Sequence, residues 1–391
     1  VNALGQNRLE GADSFVRGRA EATPLQRRRK KRRRQDAGAT GGFPRDSSFS
    51  ECGIVSAFHQ AWRFFQMKLF LYLVMAAFAI LVLTQTQIHA RAADDKTDRT
   101  ISITIDDLPA GAANSMTAAE ITSMTKRLTD TLHDQKIPVV AFVNERKLYY
   151  KWDEVNERIA ALNMWLDAGF ELGNHTYAHT SLNGGGLKAF EDGVIQGESV
   201  TRLLMTQHHQ TLRYFRHPYL DTGRDLKTRR EAEQFLVERG YRIAPVTMDA
   251  WDWMFAGIYD DAKRRGDTAL QAQIVKSYLD YTTEVFTYFE KLSRDLFGYE
   301  PSQILLMHAN NLEAEHIGEV LDLLRKRGYR FVPLGTALSD AVYSLPDDFV
   351  AEGGGSWIEH WAITMGKPPL SEPSAPKDMR DRAAALPHPQ P

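Results

Sequence analysis

Apolar and polar residues alternate along this chain in two periods. Ile101-Ser102-Ile103-Thr104-Ile105 has the period-two pattern of a strand with unlike faces, and it ends in Asp106, Asp107 and Pro109, as a strand entering a loop should. Thr117 and Glu120 then form a capping-box signature, opening a helix predicted to run to about Gln135. Past Pro138 comes a second apolar run, Val139 to Val143, read as the next strand. Three later helices are predicted to stop at Gly169, Gly240 and Gly328. Each glycine is followed by an aromatic residue that starts the next strand: Phe170, Tyr241 and Tyr329.

Strands near residues 101, 139, 170, 212, 241, 303 and 329 are separated mostly by helix-length segments. This alternation implies parallel strands with right-handed crossovers. The fold class expected is α/β, a distorted (β/α)7 barrel. An open doubly wound sheet is the alternative, but its first turn should be a glycine-rich phosphate loop, and Asp106-Asp107-Leu108-Pro109 is not one. A long insertion at about 254–300, helical from Thr268 to Phe297, is expected either to cover one side of a groove or to pack on the barrel exterior. Beyond Leu345 the pattern dissolves. Gly353-Gly354-Gly355 and the proline-rich stretch from Pro368 read as linker and disordered tail, while Trp357 and Trp361 are expected to dock a short helix.

Charge changes the picture at the N-terminal end. The whole chain has net charge −2, with 43% hydrophobic and 25% charged residues, an ordinary globular composition. Residues 1–66 carry 13 Lys/Arg against 6 Asp/Glu, whereas from Ala93 onward 33 Lys/Arg face 44 Asp/Glu. Met67-Lys68, the apolar run from Leu69 to Leu83 and Ala90-Arg91-Ala92 together have the form of a secretory signal peptide. The run is shorter than the ~20 residues of a spanning helix, so export with cleavage is expected over a permanent anchor. Domain boundaries follow: an upstream extension or disordered basic leader (1–66), a signal peptide (67–92), a catalytic domain (93–345) and a C-terminal extension (346–391). The destination expected is periplasmic or extracellular.

The basic run from Arg27 to Arg34 could suggest nucleic acid, but the acidic remainder opposes a polyanionic partner. The single cysteine, Cys52, lies in the leader, so the domain from Ala93 must rely on its hydrophobic core rather than on disulfides.

Candidate chemistry clusters where predicted strands run out, the rim on which βα-barrel enzymes assemble their sites. His175 and His179, four apart after the strand ending at Asn174, are expected to meet on one helical turn and seat a divalent metal. Of the adjacent aspartates, one can bind metal while the other faces substrate, because successive residues point apart. A His-His-Asp set leaves positions open for water and a carbonyl oxygen, as hydrolysis requires.

The order Asp106-Asp107, His175-x-x-x-His179, Arg216-x-Pro218-Tyr219, Asp249-x-x-Asp252-Trp253 and Leu306-x-His308 resembles the polysaccharide deacetylase family, carbohydrate esterase family 4, with its NodB homology domain. The resemblance spans about residues 101–335, and the family's distorted seven-stranded βα barrel agrees with the strand count. It implies that Asp107, His175 and His179 bind a divalent metal, usually zinc. Asp106 would be the general base, oriented by Arg216, and the backbone N–H of Tyr219 would hold the oxyanion. His308 would be the general acid, tuned by Asp252, with Trp253 and Leu306 walling the acetyl methyl.

The implied partner is an acetylated glycan: peptidoglycan, chitin oligomers, poly-N-acetylglucosamine or xylan. Ile105 stands where phenylalanine is usual, and Leu108-Pro109 where glycine usually follows the aspartates. These departures spare every chemical group but reshape the groove floor. His217, at the motif's variable place, is expected to be a supporting or surface residue, and His208, His209 and His316 are expected to be structural. Two other functions compete with deacetylation: a related barrel amidohydrolase acting on a small cyclic amide or ureide, and a non-catalytic carbohydrate-binding protein. The latter would be expected to have lost Asp106 or His308.

Overall fold

A computed structural model describes residues 99–151, 153–367 and 371–386. The basic leader, the signal-peptide segment and Cys52 lie outside the described residues. Among the described residues no helix is long and apolar enough to cross a membrane.

The chain alternates strand and helix around one curled parallel sheet. The strands are β1 (Thr100–Leu108), β2 (Val139–Val143), β5 (Glu171–Asn174), β6 (Tyr214–Phe215), β7 (Arg242–Ile243), β8 (Met248–Asp249), β9 (Gln303–His308) and β10 (Arg330–Phe331). A small antiparallel hairpin, β3 (Tyr149–Tyr150) with β4 (Asp153–Glu154), stands apart. The sheet order is β7-β6-β5-β2-β1-β9-β8, every pairing parallel, with β10 against the start of β1.

The distorted barrel expected from the strand count is therefore present, with two features the count missed. Met248–Asp249 is an extra strand, too short to show a period. The last strand, β10, takes Thr100 and Ile101, the edge of β1 left open because β2 first pairs at Ile103. No pairing joins β7 to β8 among the described residues, so the curl has a seam there.

Period-two alternation sorts the core into two layers. Val139, Ala141 and Val143 of β2 face the helices and cluster with Ile121 and Leu128 of α1 (Ala118–Asp134) and Trp165 of α2 (Asn156–Asp167). Val140 and Phe142 face inward and cluster with Tyr214, Ile304 and Leu334. On β9 the inward parity continues through Leu306 to His308, at the carboxyl rim.

The capping box forms as expected: Thr117 Oγ1 accepts from the Glu120 N–H, and the Glu120 carboxylate accepts from the Thr117 N–H. Gly169, Gly240 and Gly328 take φ of 84°, 80° and 86°, the left-handed conformation their helix-stopping role requires.

Three more helices follow the second strand set: α3 (Leu182–Gln196), α4 (Ser199–Gln207) and α5 (Leu226–Glu238). The insertion comprises α6 (Asp252–Arg264) and the long α7 (Thr268–Phe297). Ile274, Tyr278 and Phe286 of α7 are buried in the helix-facing layer, so α7 packs on the barrel exterior. Then come α8 (Asn311–Lys326), α9 (Leu334–Ala337), α10 (Trp357–Thr364) and α11 (Lys377–Ala384). Trp357 and Trp361 do dock a short helix, α10. The proline-rich stretch beyond it, which reads as tail, carries α11, whose Met379 is fully buried. Its charged composition hides a short element held by one apolar anchor.

Candidate active site

β1 delivers both aspartates through an irregularity. Ile105 pairs with Ala141 of β2 but Leu108 pairs with Val143, so three residues of β1 span two of its neighbour. This bulge, with Asp107 at φ 73°, turns the two carboxylates to different tasks. Asp106 keeps the inward parity and pairs in register with His308 of β9.

Asp107, His175 and His179 offer ligand atoms that all lie within 4.8 Å of one another. Asp107 Oδ1 is 3.8 Å from His175 Nε2 and 3.7 Å from His179 Nε2. It is buried, yet it accepts no hydrogen bond. The His175 Nδ1–H is directed at the Arg216 carbonyl oxygen, 2.9 Å away, which turns Nε2 toward the carboxylate. A buried orphan oxygen facing two imidazole nitrogens is a donor set suited to a divalent cation.

The two histidines do not meet on a helical turn, as their spacing suggests. Residues 175–180 form a loop in which Thr176 and His179 are left-handed (φ 59° and 55°). The loop is braced by Asn174 Oδ1 accepting from the Thr176 N–H at 2.8 Å and by Thr176 Oγ1 accepting from the Thr180 N–H at 2.7 Å. Asn144 Nδ2 donates to the His175 carbonyl from the neighbouring strand end. The imidazoles end edge to face, 4.7 Å between centroids.

Asp106 sits beside this cluster, 2% exposed, with Oδ2 at 3.4 Å from Arg216 Nη1 and 3.6 Å from His175 Nε2. Burial pushes its pKa up to about 6, against the pull of Arg216 and His308. Arg216 is fully buried. Its Nε donates to the Ala244 carbonyl (2.7 Å), its Nη2 to Thr104 Oγ1 (2.9 Å), and its guanidinium lies over the Phe142 ring. So placed, Arg216 cannot swing away from Asp106. Asp107 is also pushed up by burial, but Lys147, His179, His308 and His175 outweigh this and hold it well below the usual carboxylate range.

On the other flank, His308 Nδ1 lies 2.8 Å from Asp252 Oδ1, and Asp252 Oδ2 accepts from the His308 N–H (2.9 Å) and from Asn310 Nδ2 (2.8 Å). Burial pulls the imidazole pKa down, but the charge and hydrogen bond of Asp252, with Asp107 and Asp106 behind it, raise it to about 10.

Tyr219 presents its ring edge to His179, 4.3 Å between centroids, and its backbone is left-handed, with φ 57°. Leu306 lies two residues before His308 on the same face. Trp253, partly buried, stacks on Trp251 at 6.2 Å. The residues that the motifs single out therefore stand at the carboxyl ends of strands, on the loops that continue them or, for Asp252 and Trp253, in the first turn of α6.

Sequence reasoning missed Lys147, whose Nζ lies 3.2 Å from Asp107 Oδ2, and Asn310, which shares Asp252. Both follow strands at the carboxyl rim, the one signal that could have found them. His217 is buried, stacks on Phe190, and is pushed by burial to a pKa of about 3.

Residues 93–239 match the family model described as polysaccharide deacetylase. This segment belongs to the polysaccharide deacetylase family. No curated protein matches the chain. Among solved structures, the deacetylase-like chain is similar to the chitin deacetylase from the fungal pathogen Colletotrichum lindemuthianum at 22% identity, covering 63% of this chain and 89% of that one with a TM-score of 0.41. A family 4 carbohydrate esterase from Streptomyces lividans in complex with acetate is 18% identical, covering 60% and 91%, with a TM-score of 0.38. A CE4 family pseudoenzyme from Bacillus anthracis is 17% identical, covering 62% and 66%, with a TM-score of 0.39.

Proposed function

We propose that this protein is an exported, metal-dependent hydrolase that removes N-acetyl groups, or less often O-acetyl groups, from a polysaccharide or oligosaccharide. The observation that carries the reading is the three-part site. Asp107, His175 and His179 converge on one point, Asp106 and Arg216 lie on one flank of it, and the His308–Asp252 pair lies on the other.

An amide is a poor electrophile with a poor leaving group, so its hydrolysis needs carbonyl polarisation, water activation and protonation of nitrogen. A divalent ion held by Asp107, His175 and His179, zinc being the expected species, supplies a Lewis acid for the acetyl carbonyl and makes nearby water more acidic. Asp106 takes the proton from the attacking water. Its raised pKa makes it a better base than an ordinary aspartate, and Arg216 fixes its direction. The Tyr219 N–H donates to the oxygen that gains charge. His308 carries its proton at neutral pH and gives it to the departing nitrogen, with Asp252 holding the imidazole in line. Trp253 and Leu306 enclose the methyl group.

The presence of Asp106 and His308 supports catalysis over a binding-only role. Export rests on the signal-peptide pattern from Met67 to Ala92, and the signal predicts a mature N-terminus near Ala93, readable by mass spectrometry of the natural product.

The test is acetate release from acetylated chitin oligomers, peptidoglycan, poly-N-acetylglucosamine and xylan, with and without chelator. Release from at least one glycan, abolished by chelator and by Asp106→Asn, is expected. Chelator-resistant release would defeat the metal assignment.

A further inference from the structure

The chain between α9 and α10 crosses the seam and runs over the loop that carries Tyr219, and it lies outside the segment matched by the family model. One end is anchored by Arg229 of α5, which is buried and donates to both Asp347 carboxylate oxygens (3.1 and 2.5 Å) and to the Phe349 carbonyl (2.6 Å). At the other end, Ser356 Oγ donates to the Thr247 carbonyl (2.8 Å) and the Trp357 N–H to the Val246 carbonyl (2.7 Å), both in the link between β7 and β8. Midway, Asn183 Nδ2 donates to the Ala351 and Glu352 carbonyls at 3.0 and 3.2 Å. The span is thus a strap tied at three places.

At Gly354 the strap lies directly on the Tyr219–Leu220 backbone. A Cβ at this position would stand 2.2 Å from the Tyr219 carbonyl oxygen and 2.4 Å from the Leu220 carbonyl carbon. No side chain could give way, because the obstructing atoms are main chain. Tyr219 and Leu220 are themselves successive left-handed residues, with φ of 57° and 56°. Such a pair persists in non-glycine residues only when its surroundings hold it. At Gly353, next door, a Cβ would meet nothing within 4 Å.

We propose that Gly354 is a positioning residue: the C-terminal strap clamps the Tyr219–Leu220 peptides in their left-handed form and so aims the Tyr219 N–H at the reacting oxygen. The catalytic unit then extends past residue 345 to the start of α10. The inference rests on the proposed hydrolase reading for its effect on rate, but not for its effect on the loop.

Both effects are measured on Gly354→Ala, with Gly353→Ala as control. Hydrogen exchange in residues 216–222 is expected to match wild type in Gly353→Ala and to quicken by on the order of tenfold in Gly354→Ala. Acetate release by Gly354→Ala should show kcat lowered by about 10²-fold, with KM and bound-ion stoichiometry unchanged, because a misaimed donor acts only on the transition state. If Gly354→Ala does not fold, Asn183→Ala, which removes only two strap hydrogen bonds, must show both effects in weaker form.

Unchanged exchange in the variant that folds overturns the strap, whether or not any glycan is cleaved. Quickened exchange with kcat unchanged overturns the positioning role. Absence of acetate release from wild type would instead sink the hydrolase reading, leaving the exchange result to decide the clamp.

Discussion

Replacing Asp252 with asparagine keeps the outline of the His308 partner but removes its charge and one of its two accepting oxygens, so a shift of the alkaline limb reads the charge while a uniform loss reads the hydrogen bonds. Asp252 Oδ1 lies 2.8 Å from His308 Nδ1 in a buried setting, and His308 is held at about 10. Unit charges about 4 Å apart interact by about 4 kcal/mol at an effective dielectric near 20. That is roughly 3 pKa units, which would bring His308 down to about 7. His308 must be protonated to serve as acid, so activity is present below its pKa and lost above it.

The profile of kcat/KM, bounded below by Asp106 and above by His308, should contract from its alkaline side by about 3 pH units. About two pH units above its shifted alkaline limb the variant should be down about 10²-fold relative to its own maximum, at a pH where the wild type is still nearly flat. A bound cation lowers both limbs together, whereas the substitution moves only the alkaline one. The assay is acetate release from pH 5 to 11, with His308 titrated in parallel by NMR. If activity falls equally at every pH and His308 still titrates near 10, Asp252 only supports structure and the reasoning fails.

Two further predictions follow from the same site. Asp106 binds its proton more tightly folded, near 6, than unfolded, near 3.8, so the metal-free protein should lose stability as pH rises between these values. Asp106→Asn removes that slope and should make the metal-free protein more stable at pH 7 by up to about 3 kcal/mol in urea unfolding; a wild type and variant with parallel pH–stability curves would count against the buried-base assignment. His175→Ala or Asp107→Ala should abolish the thermal stabilisation by divalent ion, which for the wild type amounts to about 2.7 kcal/mol at a hundredfold excess over Kd. Equal stabilisation of wild type and variants in calorimetry would place the ion elsewhere.

Much of this architecture is legible because long strands and capped helices carry strong local signals. The period of Ile101, Ile103 and Ile105, the box at Thr117 and Glu120, and the three glycine stops each state a local preference that the fold keeps. Met248–Asp249 could not be read, since two residues have no period and their pairing with Leu305 and Leu306 is set by tertiary contact. The motifs name the chemical groups but not how they are held. His175 and His179 converge through a braced loop rather than a helix because left-handed Thr176 and His179 override the spacing. Lys147 and Asn310 carry no motif of their own, and only the folded rim puts them beside Asp107 and Asp252.

The extra residue in β1 makes its two acids non-exchangeable. Asp106 keeps the parity that lines the sheet's interior, while Asp107 exists in its orientation only because three residues there are spent against two. Deleting one residue upstream in β1 would slide the pair by one step, leaving a carboxylate where an isoleucine packs and none beside His179. A duplication would do the reverse. The first strand is therefore intolerant of length changes even where its side chains are interchangeable, and lineages that drift in this region should vary the residues of β1 while conserving their number.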